Sequence, residues 1–104
     1  MINSMKREIE IHINAVAFRG DDGEWVVQGI EHDISAFTYD VMDIPDVFER
    51  AVMEYVCITQ SLNRAPLAGI KAAPARFKRM FETAKRKLVD TDKPDRDIRL
   101  VQAA

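Results

Sequence analysis

The sequence predicts an α+β domain: a three-stranded antiparallel meander covered by one long helix, with a second amphipathic helix near the C-terminus packed beside the first. Three observations carry this prediction. Apolar and polar residues alternate from Glu8 to Ala15; two further runs rich in aromatic and β-branched residues follow after short polar links; and a 3.6-residue apolar period extends from Ile44 to Leu62.

The first strand spans 8–18, with Ile9, Ile11, Ile13, Ala15 and Ala17 on one face and Glu10, His12 and Asn14 on the other. Val16 and Phe18 interrupt the polar side, so its far end is expected to be covered on both faces or bulged. The stretch 19–23, Arg-Gly-Asp-Asp-Gly, has the glycines and aspartates of a hairpin loop. A second strand over 24–31 and a third over 34–39 are joined at the polar corner Glu31-His32-Asp33. Gly29, inside the second strand, marks a bend or a close approach by another backbone.

Asp43 precedes Ile44-Pro45-Asp46, which is how a helix starts: an aspartate cap, a proline in the first turn and acidic charge at the positive end of the dipole. The helix is expected to run to Leu62, with Ile44, Val47, Phe48, Ala51, Val52, Tyr55, Ile58 and Leu62 across the sheet. Met53, Val56 and Cys57 widen this stripe, which predicts cover on a second side, by the C-terminal helix or by another subunit, and in the latter case makes these three the oligomer contacts. Residues 63–74, with two prolines and a glycine, form a connection anchored by Leu67 and Ile70. Phe77, Met80, Phe81, Ala84 and Leu88 then predict a second helix over 75–89. Residues 90–104 read as a polar, loose tail in which Ile98-Arg99-Leu100-Val101 is either an extra short strand or an oligomer contact.

With 104 residues, 47% of them hydrophobic and 31% charged, the chain supports one core and one domain: 8–62 as its centre, 63–89 as connection and helix, 90–104 as tail. The longest apolar stretch falls far short of the roughly 18–20 residues of a membrane span, and the first residues lack the apolar run of a signal peptide. A cytoplasmic protein with no membrane association is expected. A single cysteine, Cys57, excludes an internal disulfide or a thiolate-rich zinc site, and within its apolar run it is expected to be a small buried hydrophobe.

The net charge of −2 hides a division: residues 1–63 carry four basic and twelve acidic side chains, and residues 64–104 eleven basic and five acidic. Such asymmetry points to an interaction surface. Within the basic part, Arg76, Lys78, Arg79, Lys85, Arg86 and Lys87 face a single acidic residue, Glu82. They suit either phosphate contact or docking on an acidic protein surface. They wrap the whole polar arc of the expected helix without forming a stripe, and the aromatic residues point to the core, which favours a protein partner or a solvated face over nucleic acid.

Candidate chemistry is sparse. Glu31 and Asp33 share a strand face with His32 opposite, a pattern that invites metal or acid–base work but lacks a third partner, so solvated corner charges are the simpler reading. His12 lies between Glu10 and Asn14 on a polar face, where it could donate to Glu10 or act as a pH-sensitive contact. Asp40, Asp43, Asp46 and Glu49 span a strand–helix junction without the ligand order or central glycine of an EF-hand, and helix capping accounts for Asp43 and Asp46. No catalytic, cofactor or metal residue is therefore assigned, and a non-enzyme is expected.

Phe18-Arg19, Glu24-Trp25-Val26-Val27, Glu31-His32-Asp33-Ile34 and Asp46-Val47-Phe48-Glu49-Arg50-Ala51-Val52 together resemble the N-terminal domain of HicB-like antitoxins over about residues 8–62. The resemblance rests on pattern: a strand ending in Phe-Arg, a Gly/Asp turn, a Trp-Val-Val strand, a polar corner, a third strand and a helix. It implies a degenerate ribonuclease H-like β-β-β-α core without an active site, used for oligomerisation and for binding a small ribonuclease toxin. Such antitoxins normally add a DNA-binding module after this core, whereas one amphipathic helix and a tail follow here. The Gly29-Ile30-Glu31 corner also departs from the family's cysteine or proline-glycine signature. A divergent or orphan member is implied.

The expected function is a non-catalytic interaction module, a homo-oligomer or the binder of a small toxin-like protein. A small nucleic-acid-binding regulator using the basic helix is the alternative.

Overall fold

A computed structural model of the chain describes residues 11–84, 86–93 and 96–103, with 86, 87, 89–93 and 96 described by their backbone alone. The fold is α+β, but its mixed sheet has five strands where the sequence predicts three. Strand β1 (Ile11–Arg19), β2 (Trp25–Gly29) and β3 (Ser35–Thr38) form the expected antiparallel meander. A 3-10 helix (Val41–Asp43) leads into α1 (Ile44–Ser61), and after the connection come α2 (Ala75–Thr83), β4 (Arg86–Lys93) and β5 (Arg96–Gln102). The strand order is β3-β2-β1-β5-β4, with β5 parallel to β1 and antiparallel to β4. The part of the first strand expected at 8–10 lies outside the described residues.

Two expectations for the C-terminal third are corrected. The helix predicted over 75–89 stops at Thr83, because Ala84 turns extended (φ −72, ψ 138) and the chain pairs as β4 from Arg86 onward. The tail is not loose: of the two alternatives for 98–101 the strand holds, as part of β5, with Ile98 and Leu100 buried opposite Ile13 and Ala15 of β1. Asp97, Ile98, Arg99 and Leu100 alternate polar and apolar as a strand requires. The β4–β5 register slips between Lys87 and Val89, leaving Leu88 in a bulge from which it packs on the core.

Opposed residues share a sheet face, so the register sorts the core. Ile11, Ile13, Ala15 and Ala17 of β1, Val27 of β2, and Ile98 and Leu100 of β5 line one face, and α1 covers it with Ile44, Phe48, Val52 and Val56. The buried line of the helix runs 44, 48, 52, 56, 59: Ile44, Phe48 and Val52 are as expected, and from there the line steps round to Val56 and Thr59 in place of Tyr55 and Ile58. Ile58 and Leu62 are consequently exposed, and Tyr55 is partly so. The capping aspartate also differs: Asp40 accepts from the Met42 amide at 3.0 Å, while Asp43 makes no side-chain cap.

The other face explains why the far end of β1 loses its alternation. Val16 is fully buried there, and Phe18 stacks on Phe77 of α2 with ring centroids 5.8 Å apart and planes 24° from parallel. The second helix therefore lies across the sheet from α1 and not beside it. A nine-residue helix is too short to persist alone in water, so this packing holds it in place.

The path from α1 to α2 is tightly fixed. Asn63 adopts a left-handed conformation (φ 59), and the amides of Asn63 and Arg64 donate to Gln60 and Thr59 carbonyls, a Schellman ending. Leu67 then enters the core, and the chain passes beside the 30–33 corner, where the Asp33 amide donates to the Lys71 carbonyl and the Ala73 amide to the Ile30 carbonyl.

Candidate protein-interaction surface

Besides Tyr55, Ile58 and Leu62 on and beside α1, the exposed large apolar side chains among the described residues lie at one edge of the sheet. Phe37 is 63% exposed, Tyr39 71%, Val41 44% and Met42 79%, all within the edge strand β3 and the turn that follows it. Phe37 and Tyr39 meet edge to face with centroids 6.3 Å apart, an arrangement that suits their quadrupoles. Alternation along β3 turns Ala36 and Thr38 to the side of α1 and leaves Phe37 on the other face. Because β3 ends the sheet, nothing among the described strands lies beyond it.

Beside this edge is an open groove of about 600 Å³ lined by Arg19, Trp25, Tyr39, Asp40, Val41 and Gln102. The Arg19 guanidinium lies 4.8 Å from the Trp25 ring centroid, so the groove floor is a cation–aromatic pair. Arg19, Trp25 and Gln102 are brought together because β1 pairs Arg19 with Trp25 on one side and Ala17 with Gln102 on the other. Apolar wall, planar cation and carboxylate together suit a side chain from another macromolecule.

The residues singled out in the sequence are dispersed. Glu31 accepts from the backbone amide and side-chain amide of Asn14, Asp33 accepts from Gln28 Nε2 at 2.8 Å, and His32 Nδ1 lies 3.2 Å from the Ile70 carbonyl. These three side chains tie the corner to three different elements and do not converge on a common point. Among the described residues no group of three His, Cys, Asp or Glu side chains could hold a metal ion. His12 lies with Nδ1 3.6 Å from an Asp97 carboxylate oxygen, its register partner on β5; Glu10, its expected neighbour, is outside the described residues.

Of the expected oligomer contacts, Val56 is in the core and cannot be one, and Met53 packs half-buried against that core. Cys57 is exposed rather than a buried hydrophobe, since it is turned about 100° from Val56 round the helix. Arg76, Lys78 and Arg79 are exposed on α2, and Arg76 lies over the Phe77 ring at 4.4 Å. Lys85 is outside the described residues, and Arg86 and Lys87 belong to β4, so the six do not share one helix. No family model, no curated protein and no solved structure matches this chain. No helix among the described residues is long and apolar enough to cross a membrane.

Phe37, Tyr39, Val41 and Met42 were not legible as a surface from sequence. The available signal was Phe37 and Tyr39 at strand spacing in the last strand of a meander, a position that leaves an edge open.

Proposed function

We propose that the chain is a non-catalytic, cytoplasmic interaction module, HicB-like over residues 8–62, that binds a small toxin-like protein. The single observation carrying this reading is the exposed apolar group Phe37, Tyr39, Val41 and Met42 at the β3 edge, the last of the described strands on that side. Isolated exposed apolar residues are ordinary, but four within six residues of chain, on an edge strand and the turn that follows it, mark a place where proteins meet. The meander covered by α1 supports the HicB-like part of the reading, as does the structural use of Glu31, His32 and Asp33.

Exposure of Arg76, Lys78 and Arg79 favours a second reading, a nucleic-acid contact through α2. Site-specific photo-crosslinking in cells separates the two. A benzophenone side chain at Met42 is expected to give a discrete protein adduct, and one at Lys78 none. A nuclease-sensitive adduct at Lys78 with nothing at Met42 would replace the first reading by the second. Light scattering decides whether the partner is another copy. In the nucleic-acid case, reversing Arg76, Arg79 and Arg86 to glutamate would also abolish DNA and RNA retention across a salt series.

A further inference from the structure

We propose that β3 is an acceptor edge for an extended segment of a partner protein whose side chains alternate basic and apolar, added as a sixth strand of the sheet; the proposal rests on the protein-interaction reading above.

The two edges of the sheet are built differently. At one end, five of the eight residues of β4 are charged: Arg86, Lys87, Asp90, Asp92 and Lys93. Charge on an edge strand is a common guard against unwanted pairing. At the other end, β3 reads Ser-Ala-Phe-Thr, with no charge and no proline, so its outer edge has no such guard. An unguarded edge with exposed aromatic residues is the arrangement that strand addition uses, main-chain bonds supplying affinity and alternate side chains supplying specificity.

Charge names the occupant. From Gly20 to Glu49 the chain has nine aspartates and glutamates and no lysine or arginine, and this segment makes β2, β3, the 3-10 helix and the start of α1. Asp33 and Asp40 flank β3, and Asp43 and Asp46 stand at the start of the helix that packs over it; all four are exposed. A second copy docked edge to edge would bring the same acidic groups to one seam from both sides, and like charges across a pair of strands are destabilising. A strand carrying lysine or arginine on its α1 side and apolar residues on the side of Phe37 and Tyr39 complements both features. A side chain flanking that strand is placed to enter the groove, where Tyr39, Asp40 and Val41 continue the edge.

The test is fluorescence anisotropy with two labelled peptides of equal length, one alternating lysine with valine and the other glutamate with valine. The lysine peptide is expected to bind with an affinity that falls with salt, and the glutamate peptide roughly tenfold or more weaker. The double variant Asp40→Asn, Asp43→Asn keeps the capping oxygen and removes two charges, and the double variant Phe37→Ser, Tyr39→Ser removes the exposed rings. Each is expected to weaken the lysine peptide roughly tenfold while the circular dichroism spectrum is unchanged. No binding, equal affinity for both peptides, or indifference to both variants overturns the proposal. A protein adduct at Met42 combined with any of these results would leave the interaction reading standing and remove strand addition alone.

Discussion

The hydroxyl of Thr59 accepts the backbone amide of Leu67 at 3.2 Å, so a buried side chain of α1 fixes the residue that turns the chain away from the helix. Thr59 donates in turn to the Val56 and Tyr55 carbonyls of its own helix, at 3.0 and 3.1 Å. Leu67 holds a left-handed conformation (φ 64) with its side chain in the core, and a non-glycine residue stays there only when its surroundings fix it. Replacing Thr59→Val removes the acceptor and leaves the Leu67 amide buried without that partner. The expected cost is about 1–3 kcal/mol, read as a lower urea midpoint with an unchanged slope.

The rotation of α1 predicts opposite outcomes at two neighbouring apolar positions. Val56 is 2% exposed and Ile58 is 52% exposed. Val56→Ala should destabilise by roughly 1–3 kcal/mol, whereas Ile58→Ala should stay within about 0.5 kcal/mol of the parent. Equal losses would mean that the helix presents the seam expected from sequence, with Ile58 towards the sheet.

Gly29 has no room for a side chain. A Cβ at this position would lie 2.7 Å from the His32 carbonyl oxygen and 2.9 Å from Ile13 Cδ1, and the first of these is backbone. The same corner carries the Gly29 amide bond to the Ile34 carbonyl, so it cannot widen without breaking the entry to β3. Gly29→Ala is expected to cost at least about 1–3 kcal/mol by overpacking. It should also speed amide exchange across 29–34, a change that heteronuclear NMR resolves residue by residue.

Removing the Phe77 ring tests the placement of α2. Phe77→Ala deletes the stack on Phe18, and α2 is too short to stand alone. Exchange protection should be lost over Ala75–Thr83 while the amides of α1 stay protected, because the two helices occupy opposite sheet faces. Loss of protection in both helices together would indicate that they pack on each other.

These relationships show which parts of the fold local pattern reaches. β1, β2, β3 and α1 follow from alternation and helical period because each pairs with, or packs on, a neighbour close in sequence. For β5 the local pattern reaches only the short-strand alternative at 98–101, since its place between β1 and β4 depends on a parallel pairing of Ile13 with Ile98 across more than eighty residues of chain. Leu88 stands four residues after Ala84 and so continues the helical period by coincidence, although the chain there is already the bulge of β4. In the second half of α1 the buried line includes Thr59, a polar residue whose hydroxyl bonds back to its own helix, which hydropathy does not register. The interaction surface was hidden for a related reason: the exposure of Phe37 and Tyr39 depends on β3 being the last strand, a property of the whole sheet order.

Amide hydrogen exchange of the full chain, with and without the lysine–valine peptide, tests the account most directly. Slowed exchange confined to Ser35–Thr38 and the residues immediately following, with β4 and α2 unchanged, is the predicted result. Slowing over Ala75–Thr83 or β4 with none in β3 would contradict it.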